Sequence, residues 1–281
     1  MHTSAFSKEW LKPNSFYSLL GIVRNWLFIA LIIWINVQYW SIWLYIPSLW
    51  IIGGFQFTLG ECMLHNASHY TLFSRKSWHY HLEFLYSLPF FTSVTLYRRE
   101  HLKHHSHLGK PGKDKLITDY EQFGFSKPGS NYFWLWFIKP VTGYAGYFYL
   151  SKVTLKPWKS SGLKIVLFWA VILTSFYLLH MLHIVLLFWI VPMIWCHYSY
   201  LYWSEVSDHF NTETGTRSNL NPVINWFTHN NGYHYLHHKY PTIPWFKLPA
   251  FHKQMAEKTS DVSYGFIDTY KQIKLRRVDY Q

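Results

Sequence analysis

Charge is scarce in this chain. Asp, Glu, Lys and Arg make up 14% of its 281 residues, against about one quarter in soluble domains. The deficit is uneven, because no charged residue occurs from Trp26 to Leu59 or from Ile165 to Trp203. Runs of that kind mark membrane-crossing segments. Cysteine is scarcer still: Cys62 and Cys196 both lie in apolar surroundings and read as buried thiols. Two cysteines exclude a four-cysteine iron–sulfur cluster and a zinc ribbon. There is no GxGxxG, no haem-attachment motif and no internal repeat, so no built-in dinucleotide or haem chemistry is expected. Met1 to Trp10 lacks a short apolar stretch followed by a small-residue cleavage site. No secretory signal is expected there, and the first membrane helix would itself direct insertion.

Apolar and aromatic residues are abundant, at 50% and 21%. The first uncharged run is too long for one span of about 20 residues and suits two. Pro47 sits near its middle with Tyr45 and Trp50 around it, which predicts a turn there and spans of about 26–46 and 48–60. The second run predicts spans of about 164–180 and 184–203, turning near His180 to His183, with Pro192 kinking the fourth. The expected fold is an all-α integral membrane protein, a single domain over 1–281, with four transmembrane helices in two hairpins. Segments 61–160 and 204–281 would form a histidine-rich cap. Within that cap, the apolar stretches Phe84 to Tyr97 and Tyr132 to Leu150 are interrupted and read as interfacial or re-entrant helices.

The formal net charge is +12. Nucleic acid is one reading of such a balance, but the basic residues flank the apolar runs, and a membrane protein with basic cytoplasmic loops is preferred to a nucleic-acid binder. Of the 26 Lys and Arg, three precede Trp26, 13 lie between Glu61 and Lys159, one is Lys164 and nine follow Trp203, while the two turns hold none. Both termini and the cap are therefore expected on the cytoplasmic side. The short cap favours a bacterial inner membrane over the endoplasmic reticulum.

The 18 histidines are clustered. His65 and His69 follow the second run at a spacing of four. His101, His104 and His105 form an HxxHH pattern, and His234, His237 and His238 form a second. Spacings of three and four place imidazoles together on one helix face. Neutral imidazole is the commonest metal ligand. One metal cannot use eight imidazoles, whereas two can, at four or five ligands each. Imidazole suits zinc, copper, iron and nickel, and composition does not separate iron from zinc. Position does help: a site just beneath an apolar bundle suits a lipid chain. Oxidising an unactivated C–H bond needs an oxidant made from O2, which iron supplies and redox-inert zinc does not.

The three clusters, arranged around two apolar pairs, resemble those of the membrane-bound fatty-acid desaturase and hydroxylase superfamily. The likeness runs from His65 to about His252. Tyr97-Arg98-Arg99-Glu100-His101-Leu102-Lys103-His104-His105 looks like that family's second box. Thr216 and Arg217, Asn225-Trp226 and His229 through His238 look like its third, and the tail Pro241 to Pro249 also fits. The resemblance implies two irons held by the boxes and one extra histidine. Here the ligands would be His65, His69, His101, His104, His105, His209, His234, His237 and His238. Some family members place an asparagine four residues before the extra histidine. This chain has Glu205 there, a candidate to ligate metal, accept a proton or bind through water. Asp208 is a candidate hydrogen-bond partner for a ligand imidazole. His229 is an open case between ligand, supporting residue and neither.

The leading expectation is O2-dependent desaturation of a fatty acyl chain. Its electrons would come from a ferredoxin, rubredoxin or cytochrome b5 type donor with its reductase, drawn to the basic face. Hydroxylation of a lipid, alkane or carotenoid at the same centre is the first alternative. A zinc-dependent membrane hydrolase is the second, and a non-enzymatic metal or haem carrier is disfavoured by the uncharged spans.

Overall fold

In the computed structural model, the described residues are 7–153, 155–156, 158–255 and 261–275. The expectations for the two chain ends fall partly on residues 1–6 and 276–281, outside that set. The chain is mostly helical. Four helical segments are long and apolar enough to cross a membrane: Lys8–Gln38, Ile42–Ser68, Ser160–Leu178 and Leu182–His209.

The first segment contains α1 (Ser15–Gln38), opened by the Asn14 side chain, which accepts the Phe16 N–H. Its 24 residues rise about 36 Å, enough to cross a bilayer core. The second begins with α2 (Ile42–Phe57), where the Ser41 side chain accepts the Trp43 N–H. The break thus falls at Tyr39–Ser41, and the turn expected at Pro47 is corrected: Pro47 lies inside α2. Proline forfeits a single backbone hydrogen bond, a loss that an apolar helix packed among neighbours tolerates. The start expected near Trp26 also moves, to Ser15. Arg24 does not end the helix, because its guanidinium donates to the Trp226 and Phe227 carbonyls at 2.9 and 3.1 Å.

Beyond α2 the second passage winds into a π-helical turn, Thr58–Met63, and then α3 (Leu64–Ser68). Arg98 donates to the Ser68 carbonyl and lies over the Tyr70 ring, satisfying a helix end that would otherwise be orphaned. A short helix α4 (Trp78–His81) and two 3-10 turns lead to α5 (Val94–His107). Its first turn is held twice: Ser93 accepts the Leu96 N–H, and buried Glu83 accepts the Val94 N–H at 3.0 Å. Next comes α6 (Lys115–Phe123), capped by Asp114 and ended by Gly124 at φ 94°. The stretch Tyr132 to Leu150 is broken into a π turn, a 3-10 turn and α7 (Tyr144–Ser151).

The third segment is α8 (Ser160–Leu178). The chain reverses through His180, at φ 57°, close to the expected turn. The fourth passage starts as α9 (Leu182–Val185). It then carries two π turns, Leu186–Ile190 and Met193–His197, on either side of Pro192, and continues as α10 (Tyr198–His209). A proline disturbs the i→i−4 ladder, and the π turns are how the helix absorbs it. The helix runs past the expected end at Trp203 because buried Arg217 donates to the Ser207, Phe210 and Asn211 carbonyls.

The remainder comprises β1 (Ser218–Asn219), α11 (Pro222–Phe227), α12 (His234–Lys239), α13 (Leu248–Met255), β2 (Val262–Ser263) and α14 (Phe266–Leu275). The two strands pair in parallel, Ser218 opposite Val262. One apolar core joins α1, α2 and the fourth passage through Ile22, Ile29, Leu49, Ile52, Phe188 and Cys196. The passages approach closely at Gly53, where a Cβ would lie 2.4 Å from Cys196 Cβ. A second core joins α6, α7 and α10 around Phe123, Trp136 and Tyr202.

Candidate metal centre

The π turn and α3 extend the second passage without interruption, so His65 is fixed one helical turn before His69. The C-terminal half of α5 supplies His101, His104 and His105, the last turn of α10 supplies His209, and α12 supplies His234, His237 and His238. Four stretches far apart in sequence thus converge. Their ring nitrogens fall into two groups, His65–His69–His101–His105–His237 and His104–His209–His238, each with its ligand atoms within 4.8 Å of one another. His234 joins the second, its Nε2 standing 2.9 Å from that of His209. The two groups adjoin, since the His105 and His238 rings stack with centroids 4.1 Å apart.

Each HxxHH motif feeds both groups. Neighbouring residues on a helix point about 100° apart, so His104 and His105 face different groups, as do His238 and His237. The spacing alone predicts one shared face. The structure shows that face divided.

The nitrogens on the far side of the rings set the tautomers. His209 Nδ1 donates to the Gly215 carbonyl at 2.9 Å, His65 Nδ1 to Asn231 Oδ1 at 3.1 Å, and His104 Nδ1 to Asp114 Oδ1 at 3.1 Å. With the proton on Nδ1, the Nε2 lone pair faces inward. Buried Nε2 atoms of His65, His104 and His238 have no hydrogen-bond partner. Other Nε2 atoms face each other in pairs, His69–His101 and His101–His105, at 2.9 Å. Burial, then neighbouring imidazoles, pushes His69 down to about 2 and His105 down to about 3, and holds His101, His234, His237 and His238 well below the usual histidine range. Neutral imidazoles with converging, unpartnered lone pairs need a cation between them, and this donor set fits iron.

Burial pushes the Asp114 carboxyl up, but hydrogen bonds from His104 and the Gly109 and Leu116 N–H groups outweigh it and hold the group below its ordinary value. Asp114 and Asn231 orient the His104 and His65 rings, and the sequence reading missed both. A signal existed for Asp114, which stands at a helix N-cap ten residues after His104. Asp208 does not take the expected place. Its Oδ2 accepts from Ser204 at 2.9 Å and lies 3.9 Å from His234 Nδ1, beyond hydrogen-bonding distance. Glu205 lies one turn before His209, outside both groups, and accepts from the Tyr149 hydroxyl.

The remaining histidines fall elsewhere. His229 Nε2 faces the Arg24 guanidinium at 2.9 Å and the Asn25 amide at 3.1 Å, so its lone pair is taken by donors from α1. His79 accepts the Phe73 N–H. His197 stacks on Phe90. His107 is half-exposed beside Ser106, and His180 and His183 are exposed at the far turn.

A family model described as fatty acid desaturase matches residues 40–270. The chain belongs to the fatty acid desaturase family. It is 27% identical to the dihydrorhizobitoxine desaturase of Bradyrhizobium elkanii, over 91% of this chain and 79% of that protein. It is 30% identical to a sphingolipid delta(4)-desaturase/C4-monooxygenase of Mus musculus, over 68% of this chain and 59% of the relative. Membership makes this desaturase-family protein an oxidoreductase with a histidine-rich metal-binding cluster, in place of the zinc hydrolase held as an alternative.

Proposed function

We propose that this protein desaturates a fatty acyl chain, using O2 and external electrons, at a centre of two irons. The observation that carries the reading is the convergence of nine imidazoles, none of them exposed, into two adjoining groups. The proposed ligands are His65, His69, His101, His105 and His237 for one iron, and His104, His209, His234 and His238 for the other. When bound, the irons supply the oxidising power that abstraction of hydrogen from an unactivated methylene requires. The chain's own residues hold the geometry. Asp114, Asn231 and the Gly215 carbonyl fix three ligand rings, and the aromatic packing around Phe90, Trp189 and His197 keeps water from the membrane side. Glu205 enters the proposal as a carboxylate held one turn from His209, bound through water or accepting a proton.

The proposed topology is two helical hairpins in a single domain, with both termini and the histidine-bearing cap on the cytoplasmic face. The broken stretches before α5 and around α7 would lie at that interface. The distribution of Lys and Arg supports this placement. A bacterial inner membrane is preferred to the endoplasmic reticulum. The electron donor would be an acidic ferredoxin, rubredoxin or cytochrome b5. A second reading, hydroxylation at the same centre, is favoured by the monooxygenase named in the mouse relative.

The test is the lipid profile of a host expressing this chain with its donor system, beside a His104→Ala control. A product lacking two hydrogens, absent from the control, is the expected result. A product gaining one oxygen would replace desaturation by hydroxylation.

A further inference from the structure

Glu61 stands where a membrane-embedded chain has least reason to place a carboxyl. It lies in the π turn Thr58–Met63 of the second passage, inside a candidate span. Ionisable residues at such depth are costly and are retained for function. Among residues 52–69, Glu61 alone is partly exposed; every other one is buried. Its electrostatic neighbours are Glu205 and Asp208 on α10 and Lys115 on α6. Glu61 therefore faces those helices and α5, whose Tyr97 binds it. Tyr97 donates its hydroxyl to Glu61 Oε1, and the Tyr97 ring stacks on His101 with centroids 5.4 Å apart. Among the described residues Oε2 accepts no hydrogen bond, and it is not enclosed.

Glu61, His65 and His69 follow one another at intervals of four, Glu61 in the π turn and the histidines directly beyond it. Glu61 is thus one turn, about 5–6 Å along the axis, deeper toward the membrane than the first ligand. A chain reaching the histidines along the second passage would pass it.

We propose that Glu61 is a specificity-determining residue, whose free carboxyl oxygen accepts a hydrogen bond from the substrate a few carbons from the oxidised position. The substrate is then a long apolar chain that carries a donor group (hydroxyl, amide N–H or ammonium) near the reacting carbons, not a plain hydrocarbon tail. Tyr97 holds the other oxygen and aims the carboxyl. The inference rests on the reading that a chain is oxidised at the histidine site, and it narrows which chain.

Binding to the full-length, iron-loaded protein in phosphatidylcholine nanodiscs tests it. The probes are stearic acid, monohydroxystearic acids with the hydroxyl moved along the chain, and the matching aminostearic acids. The expected result is one favoured position, where the donor-bearing chain binds about tenfold tighter than stearic acid, as one good hydrogen bond provides. Glu61→Leu flattens the series while iron content stays at the wild-type value. Glu61→Gln, which keeps an acceptor, retains the hydroxyl preference and loses the amino one. A flat series in the wild type overturns the proposal, as does a preference that survives Glu61→Leu or a loss of iron in both variants. If the preference holds but no probe is oxidised, the desaturase reading fails alone. If stearic acid is oxidised and the series is flat, the specificity role fails alone.

Discussion

The second and fourth passages differ from the first and third in burial and in regularity. Inside the molecule, 61% and 44% of their most apolar windows are buried, against 28% and 17% for the first and third. The buried pair also contains the π turns, at Thr58–Met63, Leu186–Ile190 and Met193–His197, while α1 and α8 are unbroken. The same pair delivers histidines: the second passage runs into His65 and His69, and the fourth ends at His209. A π turn inserts extra backbone and rotates everything beyond it, and such turns gather at functional sites. In the second passage the π turn lies between the contact at Gly53 and His65, and in the fourth the contact at Cys196 falls within the π turn Met193–His197, ahead of His209. The division of labour is physical. The first and third passages bury less of their length, while the second and fourth must satisfy both a tight contact at Gly53 and a fixed angle for imidazoles.

That contrast predicts a graded set of outcomes. His101→Ala and His104→Ala, one from each group, should each lower product formation by more than about 100-fold, beyond what loss of a supporting residue does. Mass spectrometry of the lipid product and metal analysis of the same preparation check this. Gly53→Leu should destabilise the protein by roughly 1–3 kcal/mol or more through overpacking against Cys196, read as a lowered unfolding temperature in detergent. Survival of Gly53→Leu at the wild-type temperature would break the claim that the second and fourth passages are locked together. Asp114→Ala should weaken metal affinity by about 10–100-fold by freeing the His104 ring, measured by chelator competition. Leu167→Ala, on the exposed side of α8, should fall within about 0.5 kcal/mol of wild type. A large effect there would erase the distinction between the two kinds of passage.

Much of the site was legible in the sequence because helical spacing is local. His65 and His69, or His101 and His105, need only an unbroken helix to share a face. What escaped depends on tertiary contacts. Asn231 reaches His65 across 166 positions, and nothing in either neighbourhood announces the pair. His229 could be assigned only after Arg24 and Asn25 were seen facing it. The first turn was misplaced because Pro47 is a strong local signal, whereas the actual break is set by the Ser41 cap and by the Asn36–Ser48 hydrogen bond at 2.8 Å that ties α1 to α2. Glu61 was read as the edge of an apolar run, although its spacing to His65 was visible.

The most direct test of the central claim is a count of metal per chain in the purified, full-length protein, with Mössbauer spectroscopy on iron-57-loaded material. The account predicts two irons per chain in two histidine-rich environments. It also predicts that His104→Ala and His101→Ala disturb different ones. One metal per chain, or zinc in place of iron at full activity, would contradict it.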